Sequence, residues 1–236
     1  MKRNQLPTPA LVLDLERFNK ALRTMAALAE KAGKKLRPHA KTHKSSAIAL
    51  RQIKAGNCAG ICAAKLGEAE GLLKNGIENV LLTSPVVAEQ RIRRLAELKY
   101  AHPGLWVTAD NVENLRALNA CGIPFDVLAD VNPRMGRTGV EFKDVPAFVK
   151  EILALPNLKF RGIQCYAGNL QHITSASERQ DATVAVMKEM EREKDDLVHY
   201  VNLFGFNPKY GVEGKPIGTV TYKPQGFEPG LPLYQK

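Results

Sequence analysis

The stretch "LRPHAKTHKS", Leu36 to Ser45, sets two lysines and two histidines within six residues, His39 to Lys44. Such a cluster can make a solvated basic surface, a phosphate-binding strip, or a reactive amine at the mouth of a site. On a strand, His39, Lys41 and His43 share one face, while Lys44 faces away or starts the next helix. A lysine aimed into a semi-buried mouth loses hydration, which lowers its pKa and frees its amine as a nucleophile. Schiff-base chemistry requires that. A lysine taken alone is more often a surface amine; the strand-end position beside two histidines is what singles out Lys41. His39 and His43 could form a metal pair, but no carboxylate or third histidine is spaced to complete the set. They read as pocket-lining or hydrogen-bonding groups.

The elements that must position these groups alternate from residue 10 to about residue 203. "ALVLD" reads as a strand, with Asp14 capping a helix in which Leu15, Phe18, Leu22, Met25 and Ala29 recur at helical spacing. "KKLRPHAK" is the next strand, followed by a short helix. "AGICAAK" precedes a helix through "LGEAEGLLKN" that Gly76 can terminate. "NVLLTS" ends in Ser84-Pro85, a cap followed by proline at the first helical position. "LWVTAD" precedes a helix ending near Gly122, "FDVLADV" one beginning at Asp144, and "LKFRGIQCY" a long charged helix from about Ser175 to Leu203. This alternation implies right-handed βαβ units and a parallel sheet. Six or seven units predict an α/β fold with most of a (β/α)8 TIM-like barrel rather than a doubly wound sheet, and no GxGxxG opens a helix. In such a barrel the site lies at the C-terminal ends of the strands, where "LRPHAKTHKS" falls.

Residues 1–203 thus form the predicted barrel domain, and 204–236 an irregular tail with six glycines and five prolines in 33 residues. A barrel of eight units needs roughly 250 residues, so the barrel is expected to be incomplete at its C-terminus. Lys plus Arg number 34 against 24 Asp plus Glu, a net charge of +10, which raises nucleic acid as a partner. The basic residues are dispersed, and no Lys/Arg block, zinc-finger spacing or aromatic RNA-binding motif is present. An enzyme receiving small anionic ligands is favoured, with no nucleic acid. Cys58, Cys62, Cys121 and Cys165 read as buried free thiols, which suits a reducing cytosol. With no signal peptide and no run approaching about 18 apolar residues, the expected location is cytoplasmic and away from the membrane.

"TPALVLDLERFNKALRTMA" followed by "LRPHAKTHKS" resembles the amino-terminal barrel of fold-type III pyridoxal-phosphate enzymes, the alanine racemase N-terminal-domain-like group. Within it the chain most resembles the D-threonine aldolase and D-serine dehydratase-like family. "GICAAKLGEAEGLLKNGIENVLLTSPVV", "ADVNPRMGRTGV" and "GIQCYAGNLQHI" continue the likeness in the family's order, over roughly residues 6 to 203. The resemblance implies pyridoxal 5'-phosphate bound as a Schiff base to Lys41, the lysine directly after the "RPHx" step. It implies Arg137, in "GRTGV", at the ring-hydroxyl side of the cofactor, where a fixed, permanently charged guanidinium suits the task. Tyr166 matches a tyrosine close to the pyridine ring, and Gln171 and His172 could contact substrate. The activity implied is that of a lyase on β-hydroxy-D-amino acids, by retro-aldol cleavage to glycine and an aldehyde or by dehydration. A divalent metal (Mn, Mg or Zn) binds the substrate hydroxyl in the family, and a homodimer commonly completes the site.

The family's metal ligands lie in a C-terminal β-domain that this chain is expected to lack. Gly218 and Thr219 in "KPIGTVTY", with Thr221 and Tyr222, read either as a trace of the backbone cradle for the cofactor phosphate or as irregular tail. Ala64, beside Lys65, stands where some aldolase members are expected to carry a polar residue. A truncated member with little aldolase activity is therefore expected. The alternative is a non-catalytic pyridoxal-phosphate-binding homeostasis barrel; a nucleic-acid-binding domain has only the charge to support it.

Overall fold

Parallel strands and intervening helices follow one another in chain order through residues 5–192, which the computed structural model describes. After α1 (Leu15–Lys31) and α2 (Ser46–Lys54) come β1 (Ile61–Ala63), α3 (Leu66–Lys74), β2 (Val80–Leu82), α4 (Glu89–Ala101) and β3 (Trp106–Ala109). Then follow α5 (Val112–Asn119), β4 (Phe125–Val131), α6 (Val145–Ala154), β5 (Leu158–Cys165) and α7 (Ala176–Arg192). The sheet order is β1-β2-β3-β4-β5 with every pair parallel. A sequential order without reversal is the wall of a barrel; a doubly wound sheet would double back at its switch point.

Local chemistry sets the helix starts. Asp14 accepts the Arg17 N–H at 3.0 Å and caps α1, and Ser45 accepts the Ile48 N–H at 3.4 Å and caps α2. The strands bury one face under α3 to α6. Ile61, Val80, Leu82, Val107, Phe125 and Val127 pack there with Leu72, Leu95, Leu115, Leu118 and Ile152. Each buried side chain of this size contributes about 1.5–3 kcal/mol.

The opposite, inward face is stacked in layers, as barrel interiors are. At the bottom Lys99 donates to the Pro103 and Leu105 carbonyls and to Asp126, whose other oxygen accepts from Arg161. Arg37 and Arg161 flank the Trp106 ring at 5.3 and 5.6 Å. Cys62, Leu81 and Leu128 form a small apolar layer with Trp106. Above them, toward the strand ends, come His39, Thr83, Asp130 and Gln164. Between β4 and β5 the register shifts: Val127 pairs with Phe160 but Leu128 with Gly162, leaving Arg161 as an extra residue. This is a bulge, and Gly162 takes a φ of 128° within it.

Several expectations are corrected. "ALVLD" forms no strand: Leu11, Val12 and Leu13 are exposed, because no neighbouring strand among the described residues offers a ladder. "KKLRPHAK" forms no strand but only isolated parallel bridges, Leu36 to Cys58 ahead of β1 and His39 to Cys62 within it, and a turn begins at Ala40. Ser84-Pro85 does not start α4, which begins at Glu89. The Val86 carbonyl accepts Asn114 Nδ2 at 2.7 Å, and its side chain packs on the core, which keeps the chain extended past the proline. Asp144 precedes α6 without a side-chain cap, at the end of a 3-10 turn. Of the four free cysteines only Cys62 is buried, while Cys58, Cys121 and Cys165 are half-buried. Burial pushes the Cys62 and Cys165 thiols up to about 12. No described helix is long and apolar enough to cross a membrane. The end of the last helix at Leu203, the 203/204 boundary, and Gly218, Thr219, Thr221 and Tyr222 lie outside the described residues.

Candidate active site

The turn that begins at Ala40 lifts Lys41 off the strand end, so strand parity does not place it. Lys41 is exposed rather than sunk in a semi-buried mouth. Its Nζ nevertheless stands 5.0 Å from the centre of the Tyr166 ring, just beyond β5. The Arg137 guanidinium stands 5.2 Å from the same ring. Three residues from separate segments, Lys41, Arg137 and Tyr166, therefore meet on the C-terminal rim.

Each is held locally. Tyr166 accepts a hydrogen bond from Gln171 Nε2 at 2.8 Å on its hydroxyl, and its ring lies against Gly168, where a Cβ would come within 2.5 Å. Gln171 and the exposed His172 lie on a 3-10 turn, Gly168–His172. The loop bearing Arg137 is folded by Asn132 Oδ1, which accepts the Met135 and Gly136 N–H groups at 2.9 and 3.0 Å. Gly139 closes the loop by donating its N–H to Asp110 Oδ2 at 3.0 Å, at a φ of 103°.

The other members of the basic stretch separate. His43 turns toward α2, with Nε2 3.2 Å from Gln52 Oε1. Lys44 adopts a left-handed φ of 48° and pairs with Glu68 at 3.4 Å. Glu68 also accepts the Ala64 N–H at 3.0 Å, ahead of Lys65 at the N-cap of α3. A cleft of about 700 Å³ opens beside this pair, lined among others by Lys44, Lys65, Glu68, Ser84, Arg91 and Arg94.

Sequence reasoning missed the polar layer under the rim. His39 Nε2 lies 3.2 Å from Thr83 Oγ1. Gln164 Nε2 donates to the Thr83 carbonyl at 3.0 Å and to Asp130 Oδ1 at 2.7 Å. Burial, then the Lys41 charge, lowers the His39 pKa to about 4. Burial raises that of Asp130, against hydrogen bonds from Thr138 and Gln164. A signal was present: "FDVLADV" and "GIQCY" carry polar residues inside apolar strands, and buried polar groups need partners. Among the described residues no three His, Cys, Asp or Glu side chains are grouped to hold a metal.

A sequential parallel barrel wall, with an amine, a guanidinium and an aromatic ring converging on its C-terminal rim, defines a class of barrel domain found among known proteins. Residues 13–202 match the family "alanine racemase, N-terminal domain", and the chain belongs to that family. It is 35% identical over 197 residues to a 3-hydroxy-D-aspartate aldolase of Paracoccus denitrificans (80% of this chain, 51% of the relative). The structure of D-threonine aldolase from Filomicrobium marinum is similar at a TM-score of 0.77 and 35% identity, over 81% of this chain and 52% of that one. D-threo-3-hydroxyaspartate dehydratase from Delftia sp. HT23 is similar at a TM-score of 0.71 and 26% identity, over 81% and 51%. The chain thus spans about half the length of the relatives it matches.

Proposed function

We propose that this chain is the barrel of a pyridoxal-phosphate-dependent lyase acting on β-hydroxy-D-amino acids, with Lys41 as the residue that holds the cofactor. The observation that carries this reading is the convergence of Lys41 and Arg137 on the Tyr166 ring, at 5.0 and 5.2 Å. That donor set fits the group: Lys41 Nζ for its carbonyl carbon, Arg137 for its phenolic oxygen, and Tyr166 beside its ring. When bound, pyridoxal phosphate stores the electron pair released at the substrate Cα. Arg137, permanently charged, holds its oxygen partner without exchanging a proton, and Gln171 fixes the Tyr166 hydroxyl from outside.

The names of the relatives support a D-amino acid substrate and leave both outcomes, retro-aldol cleavage and dehydration, to be separated by assay. Gly218 and Thr219 stay proposed as the phosphate cradle. The exposed apolar residues Leu11, Val12, Leu15, Met25 and Leu28 support a homodimer, and the free thiols a cytoplasmic setting.

The test is a visible spectrum with pyridoxal phosphate, then borohydride reduction and peptide mapping. A label on Lys41 that Lys41→Ala abolishes and Lys44→Ala leaves is the expected result; a label on Lys44 would overturn it. D-threonine, D-serine and 3-hydroxy-D-aspartate are then added with and without Mn²⁺. Glycine plus an aldehyde marks cleavage, and a 2-oxo acid marks dehydration. Turnover is expected to be low. A label without any product would replace the lyase with a cofactor-binding barrel.

A further inference from the structure

The two histidines of the turn share one construction. His39 Nδ1 accepts the Lys41 backbone N–H at 3.2 Å, and its Nε2 lies 3.2 Å from Thr83 Oγ1. His43 Nδ1 accepts the Ser45 N–H at 3.1 Å, and its Nε2 lies 3.2 Å from Gln52 Oε1. Each ring closes a two-residue turn with one nitrogen and reaches a different element with the other. An Nδ1 that accepts a backbone N–H carries no proton there, so Nε2 is the donor. The partners agree. Gln52 Oε1 can only accept, and Thr83 Oγ1 spends its own proton on the Ala63 carbonyl at 3.1 Å, leaving a lone pair for His39. Through the Thr83 carbonyl and Gln164 the chain of bonds continues to Asp130 on β4.

The turn needs such support. It carries four consecutive non-glycine residues, Lys41 to Lys44, and Lys44 sits at a φ of 48°, a conformation unfavourable for a residue with a Cβ. We infer that His39 and His43 are positioning residues, two braces that fix the turn bearing Lys41, His39 anchoring its front to the end of β2 and His43 its back to α2. The functional consequence rests on Lys41 being the cofactor lysine. The braces themselves are a property of the chain alone.

The test starts on the full chain without cofactor. Long-range ¹⁵N–¹H spectra at pH 7.5 are expected to show both rings protonated at Nε2 and bare at Nδ1. Amide exchange at Lys41 should quicken about fivefold in His39→Leu, the loss of one typical hydrogen bond. It should stay near wild type in His39→Asn, whose short side chain can still accept from the amide two residues on. His43→Leu should do the same at Ser45. After borohydride reduction with pyridoxal phosphate, His39→Leu should shift label from Lys41 toward Lys44, and His39→Asn should restore part of it. Should His39→Leu fail to fold, Thr83→Val removes the same anchor and should quicken Lys41 exchange alike. A ring protonated at Nδ1, or unchanged Lys41 exchange in a folded His39→Leu or Thr83→Val chain, overturns the braces. Absence of label from Lys41 in the wild type overturns the proposed function instead, while the exchange and ¹⁵N results still decide the braces.

Discussion

Gly168→Ala tests the rim through a single ring. A Cβ at this position would lie 2.5, 2.7 and 2.8 Å from Cε1, Cζ and Oη of Tyr166, where an ordinary carbon contact is about 3.5–4.0 Å. The ring must therefore retreat by about 1 Å. Its hydroxyl is held by Gln171 at 2.8 Å, and Lys41 and Arg137 stand over it at 5.0 and 5.2 Å. The Gly168 backbone is not in the left-handed region, so alanine meets no strain of its own and the cost comes from the ring. Overpacking of this kind costs about 1–3 kcal/mol, a fall in Tm of about 3–8 °C. Loss of the cation–ring contacts, about 0.5–1 kcal/mol, should weaken pyridoxal-phosphate binding roughly two- to fivefold in a spectral titration. The decisive assay is a double-mutant cycle by urea unfolding. In a Tyr166→Ala background the Gly168→Ala cost should vanish, giving a coupling equal to that cost, about 1–3 kcal/mol. Equal costs in both backgrounds would refute the reasoning.

Three further outcomes follow from geometry already described. Lys99→Met removes a buried ammonium bonded to the Pro103 and Leu105 carbonyls and to Asp126; it should cost about 3 kcal/mol in urea unfolding, and an unchanged midpoint would count against the buried triad. Gly139→Ala places a Cβ 2.4 Å from the Asn132 nitrogen at a φ of +103°, so it should cost at least about 2–3 kcal/mol and loosen the Arg137 loop, read as faster proteolysis there. Acid should act through His39, whose pKa is lowered from 6.5 to about 4, first by burial and then by Lys41, with His43 aiding and Glu68 opposing. Below 6.5 the unfolded chain takes up the proton first, so this contribution is present above about 6.5 and lost as pH falls to about 4. Discounted for a half-buried ring it is about 1–2 kcal/mol. His39→Asn should lose less stability than wild type between pH 7 and 4.5, and equal losses would contradict the assignment.

The periodic elements were legible because their signals are local. Asp14 and Ser45 stand where caps must stand, and the apolar runs from "ICA" to "FDVLADV" are long enough in aggregate to demand a parallel wall. What stayed illegible depends on partners distant in sequence. "ALVLD" has every strand propensity, yet a strand exists only beside another. Ser84-Pro85 has a helix-start pattern, but Asn114 binds the Val86 carbonyl and postpones the helix. At the site, motif order brought Lys41, Arg137 and Tyr166 together by residue number. Parity, however, does not place Lys41, since extended pairing stops at the His39–Cys62 bridge and a turn begins at Ala40. The braces were hidden for another reason: a ring nitrogen bonding the amide two residues ahead leaves no mark in composition, and its second partner, Thr83, is 44 residues away.

The extra residue at Arg161 has a consequence far from its own position. Phe160 and Ile163 both face the helices, three apart in a strand whose faces alternate by two. That single insertion resets the strand's frame, so Gln164 and Tyr166, rather than Ile163 and Cys165, arrive on the axis side. Paired without the bulge, the same residues would deliver the isoleucine and cysteine of "GIQCY" to the rim while its glutamine and tyrosine met the helices. The aromatic ring presented at the rim is thus chosen by the bulged pairing at Arg161, below the rim, and not by the strand's alternation alone.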